Sequence, residues 1–92
     1  MEILQSRSFQ QKVKKLRPKE KTTLDGEIKK IVKDPALGDE KKGDLRGIFV
    51  HKFKIHSIWY LLSYRINNES LELVMLGPHE NYYRDLKKYL KN

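Results

Sequence analysis

The chain has no cysteine, so neither a disulfide framework nor a thiolate zinc site can belong to its chemistry. Acidic residues are scarce as well: 12 Asp and Glu stand against 20 Lys and Arg, and none of them cluster in the manner of a magnesium site. No apolar run approaches the roughly 18–20 residues of a membrane span. The opening "MEILQSRSF" lacks a signal-peptide core, so a soluble, cytoplasmic protein without metal or cofactor is expected. There are no repeats and no low-complexity segments, and 92 residues fit one domain, 1–92. What is plentiful is positive charge. A net +8 with a pI near 9.7 favours a polyanionic partner: nucleic acid, an acidic protein segment, or the ribosome surface.

With 38% hydrophobic residues the chain can still fold, and its periodicities say how. "MEILQ" reads as a short strand, and Ser6 or Ser8 can cap a helix behind it. Phe9, Val13 and Leu16 recur at i, i+4, i+7, and Pro18 both stops that helix and opens the next. The second helix carries Leu24, Ile28, Ile31 and Val32 on one side and a run of lysines on the other. "GDEKKGDLRG", 38 to 47, is a glycine-punctuated loop. Beyond it the period changes to two, and 48 to 76 predicts a three-strand antiparallel meander with turns at "HS" and "NNES". Gly77-Pro78 then break the strand, and Pro78 predicts a tail helix over 79 to 91. The fold class expected is α+β, a two-layer sandwich: an N-terminal strand and helical hairpin packed on an antiparallel sheet, with a short C-terminal helix. The second face of that sheet is expected to stay open.

On "IFVHKFKI", Phe49, His51, Phe53 and Ile55 share one face and Lys52 and Lys54 the other, the two lysines roughly 7 Å apart at Cα. That spacing suits neighbouring phosphates, or a solvated strand face. His51 falls among the apolar residues and reads as packed; His56 reads as a turn residue. Trp59 can stack on a base or anchor a protein partner. In the predicted first turn of the tail helix, His79 would feel the positive end of the helix dipole, which favours the neutral imidazole of a general base. Tyr83 would follow one turn later on the same side. The other reading of that helix is a lid, with Tyr82, Leu86, Tyr89 and Leu90 as its core stripe. Arg84, Lys87, Lys88 and Lys91 form either a phosphate-facing stripe or an ordinary solvated face.

Cutting RNA without a metal requires proton removal from the 2′-oxygen, charge stabilisation at phosphorus, proton delivery to the leaving 5′-oxygen and in-line alignment. Histidine and lysine are the residue types for these tasks, and this chain offers both.

The order of elements, with "LRG" before the meander, "KFKI", "YLLSY" and "LGPHENYYRDLKKYL", resembles the RelE/ParE toxin superfamily over nearly the whole chain. RelE-type members cut mRNA in the ribosomal A site, leaving a cyclic or 3′-phosphate. The resemblance implies an mRNA interferase with Lys52, Lys54, His79 and Tyr83 as its catalytic residues. It also implies mRNA and the ribosome as partners, together with a cognate acidic, partly disordered antitoxin. In many of these ribonucleases the strand matching "YLLSY" carries an arginine on the scissile phosphate, where this chain has Leu61. Arg46, Arg65 or Arg84 would then have to supply the cation, with Trp59, Lys87 and Lys88 as further RNA contacts. ParE-like members are instead non-enzymatic inhibitors of DNA gyrase, a reading that Leu61 and an exposed Trp59 would suit. A degenerate toxin retained only to bind its antitoxin is a third possibility.

Overall fold

The Ser6 hydroxyl accepts a hydrogen bond from the Phe9 N–H, at 3.0 Å, and also donates to the Val74 carbonyl. One serine thus caps helix α1, Arg7–Lys14, and ties the end of strand β1, Glu2–Gln5, to the sheet. These details come from a computed structural model, which describes residues 1–91. Pro18 occupies the first turn of α2, Pro18–Lys33, and the Glu20 carboxylate reaches back to accept from the Arg17 N–H at 2.7 Å, which fixes the start of this helix.

The meander is present as β3 (Phe49–Ile55), β4 (Ile58–Asn67) and β5 (Ser70–Pro78). Its turns place His56 and Asn68 at φ 57°, a left-handed conformation that ends each strand abruptly. Two pairings were not legible. β1 lies parallel to β5, and a two-residue strand, β2 (Asp39–Glu40), forms within the predicted loop and pairs with β3, giving the order β1-β5-β4-β3-β2. The Tyr64 hydroxyl holds that loop: it donates to the Pro35 carbonyl and accepts from the Gly38 N–H, both at 2.8 Å.

The α1–α2 side of the sheet buries the main core, where Phe9, Leu24 and Ile31 meet Phe53, Leu62, Tyr64, Leu71 and Leu73. The opposite face, expected from sequence to stay open, is partly covered. Helix α3, Tyr82–Lys91, crosses part of it and seals a second core of Leu45, Ile48, Val50, Leu61, Val74, Tyr82 and Leu86. The lid reading of the tail is correct for Tyr82 and Leu86, whereas Tyr89 is exposed and Leu90 half-buried. No helix among the described residues is long and apolar enough to cross a membrane.

Helix α2 is fastened to β3 by one polar contact, Glu27 Oε1 to His51 Nε2 at 2.7 Å, with the imidazole stacked on Phe53. Burial pushes the Glu27 carboxyl up, but hydrogen bonds from His51 and Lys30 and their charges outweigh it and hold its pKa below the ordinary value of 4.5. A depressed carboxyl stabilises the fold above its unfolded pKa, and that contribution fades as pH falls through the lower, folded value. Urea midpoints measured from pH 6 downward should therefore drop below about pH 4.5 more steeply for the wild type than for Glu27→Gln, which has no carboxyl to protonate. Parallel acid slopes for the two proteins would contradict this assignment.

Candidate nucleic-acid site

Alternation along β3 turns Phe53 inward and sends Lys52 and Lys54 to the α3 side, where Lys52 pairs across strands with Leu61 and Lys54 with Trp59. The Lys52 and Lys54 ammonium groups lie 4.7 and 4.9 Å from the centroid of the Trp59 ring. At exposed sites such contacts contribute about 0.5–1 kcal/mol each, enough to bias two flexible side chains toward one place. Neither ammonium has a carboxylate partner among the described residues. Trp59 is 44% exposed. The result is two uncompensated positive charges beside an aromatic plate, beyond the edge of the α3 lid.

His79 joins this group through the backbone. Its N–H donates to the Trp59 carbonyl at 3.1 Å, which sets the exposed histidine beside the tryptophan at the end of β5. The expectation that His79 opens the tail helix is not met. Pro78 pairs with Tyr60 as the last residue of β5, and Asn81, at φ 59°, turns the chain so that α3 starts at Tyr82. His79 thus stands outside the helical turn on which the dipole argument rested. The reason is that the strand hydrogen bonds run to Pro78, and the proline ring, lacking an N–H, is tolerated as a strand terminus as readily as a helix start.

Tyr83 lies elsewhere on the same side of the sheet. It is half-buried, edge-on to Tyr82 with ring centroids 5.8 Å apart, and the Lys41 ammonium sits 5.3 Å from its centroid. No described contact joins this pair to the Trp59 group. Arg65 is engaged by Glu72 at 2.5 Å across β4 and β5, and Arg84 lies 3.5 Å from Asp85. Arg46 is exposed after the 3-10 turn Gly43–Leu45, and Lys87 and Lys88 are exposed on α3. His51 is packed against Glu27, as its position among apolar residues foretold, and His56 occupies the turn, 4.0 Å from Glu20.

Sequence reasoning placed Tyr82 in the core but missed Lys41. Tyr82 is buried, its hydroxyl donating to the Met75 carbonyl at 2.6 Å and accepting from the Ser63 N–H at 3.0 Å; burial pushes its pKa far up, so it is a structural post and not a proton donor. Lys41, in a loop without period, carried no signal of its partner Tyr83. Leu61 is only 2% exposed, under α3, and cannot serve as an apolar contact for a partner protein.

A model of the ParE-like toxin of type II bacterial toxin–antitoxin systems matches residues 3–87. No match is found among curated proteins. The toxin fold in the intact E. coli RelBE toxin–antitoxin complex superposes with a TM-score of 0.68 at 17% identity, covering 86% of this chain and 96% of that one. The isolated E. coli RelE toxin gives 0.65 at 17% identity over 96% and 97% of the two chains.

Proposed function

Since this chain belongs to the ParE-like toxin family of type II bacterial toxin–antitoxin systems, we propose that it is a RelE-like mRNA interferase, an endoribonuclease that cuts ribosome-bound message in the cytoplasm. The observation that supports this reading is the pair of ammonium groups, Lys52 and Lys54, without carboxylate partners at the Trp59 ring, with the His79 backbone hydrogen-bonded to the same residue. A partner that only occupied an apolar anchor would have no use for two unpaired cations beside it.

In this mechanism the base next to the cleavage site stacks on Trp59, a contact worth about 1–3 kcal/mol. The His79 imidazole takes the 2′-hydroxyl proton as that oxygen attacks phosphorus. Lys52 and Lys54 hold the non-bridging oxygens as charge grows on them, which an unpaired ammonium does better than one already bound to a carboxylate. The P–O5′ bond breaks, leaving a cyclic phosphate, and the Tyr83 phenol is the group left to protonate the departing oxygen. The basic outer faces of α1 and α2 dock on ribosomal RNA, and an acidic antitoxin neutralises the whole +8 surface.

One observation favours a second reading, non-enzymatic inhibition of gyrase. Ile58 and Trp59, 53% and 44% exposed at the tip of the β3–β4 hairpin, offer an apolar anchor of the kind a protein partner uses. Translation in a cell extract with mapped mRNA ends separates the two. The wild type should produce ribosome-dependent cuts, and His79→Ala should slow them about a hundredfold, the low end for a proton-transfer residue. Intact message together with loss of gyrase supercoiling would replace the nuclease reading by the second.

A further inference from the structure

Two cation–aromatic units lie on the α3 side of the sheet, and the mechanism above uses the whole of one but only the phenol of the other. The second is Lys41 over Tyr83. The Lys41 N–H donates to the Ile48 carbonyl at 2.8 Å, so Lys41 continues the β2–β3 pairing and stands opposite Ile48. Ile48 belongs to the second core, which places Lys41 on the same face as Lys52. Ile48, the residue before β3, and Lys52 are four residues apart along extended chain, roughly 13 Å. Lys41 is half-buried, and no carboxylate pairs with it among the described residues. Two of the other cations that could meet a phosphate are engaged, Arg65 by Glu72 and Arg84 by Asp85, whereas Arg46, Lys87 and Lys88 are exposed without an aromatic ring to hold them.

We infer that Lys41 and Tyr83 form a second subsite for single-stranded RNA, in which the Lys41 ammonium binds a backbone phosphate displaced along the strand from the one held by Lys52 and Lys54. The ammonium of a half-buried lysine held over an aromatic ring is more confined than that of a free surface lysine, so less of its motion is lost when a phosphate arrives. Two subsites separated along the sheet also fix the direction of the bound strand, which a single cluster of charge around Trp59 cannot do. This inference rests on the interferase reading and extends it.

The test compares wild type, Lys41→Met and Lys41→Arg in single-turnover cleavage on programmed ribosomes across a range of KCl concentrations. One lost phosphate contact changes the salt slope of log affinity for a single strand by about 0.7, or about fourfold in efficiency near physiological salt. The ratio of wild-type to Lys41→Met efficiency should therefore grow as salt is lowered, with that slope, and Lys41→Arg should restore it. A ratio that does not vary with salt, or a loss that only tracks a lowered melting temperature, would overturn the phosphate contact and leave the interferase reading standing. A wild type that makes no ribosome-dependent cut would remove both.

Discussion

Replacing Lys52 and Lys54 together by methionine should lower the proposed ribosome-dependent cleavage at least about a hundredfold, the lower end for one lost charge-stabilising group. Methionine keeps the unbranched stem that packs along β3 and deletes only the charge. Both lysines are exposed, and what they give to the fold is their contact with Trp59, so the stability loss should stay within about 1 kcal/mol for each. The separation of the two effects is the point of the experiment. Primer extension on ribosome-bound message reads the rate and thermal melting reads the fold. A double variant that cuts within tenfold of the wild type, while folded, would show that the paired ammonium groups do not meet the scissile phosphate. The two losses need not add, because both lysines address one phosphate and share one indole.

Leu61→Arg, which puts a guanidinium where many RelE-like ribonucleases carry one, costs this protein at least about 3 kcal/mol and does not improve cleavage. Leu61 is 2% exposed between β4 and helix α3, in contact with a core that includes Val50, Val74, Tyr82 and Leu86. No acidic residue belongs to that core, so an arginine there would be a buried cation without a partner. Its direct neighbour across the strands is Lys52, and like charges on opposed strand positions repel. The side chain can escape only by lifting α3, which exposes Leu86, a residue with no accessible surface in the native fold. Urea denaturation reads the difference. Leu61→Met, of similar volume and apolar, should lose less than about 1.5 kcal/mol and is the control for packing alone. An arginine variant as stable as the wild type would mean that α3 is not seated on this face as described.

These two expectations differ in how far they could be seen in the sequence. Lys52 and Lys54 were legible because strand alternation is strictly two, so the apolar Phe49, Phe53 and Ile55 assign the lysines to the other face with no knowledge of what covers it. The helical hairpin was legible for the same kind of reason: Phe9, Leu24 and Ile31 lie at helical spacing, and Pro18 and Ser6 mark its ends by local chemistry. The tail was misjudged at its start. "GPHENYY" contains a proline that fits a strand end or a helix start equally, and the choice fell to hydrogen bonds with Tyr60 and Trp59, some twenty residues away in the chain.

Local chemistry, then, settled the elements, the sheet faces and the surplus of positive charge, because each depends on neighbours within a few positions. Long-range packing decided which cations stay unpaired, that Leu61 goes under a helix, that His79 reaches Trp59, and that Lys41 meets Tyr83. Those outcomes depend on strand order and on where α3 comes to rest, and both are free-energy minima of the whole chain that no short window of residues contains.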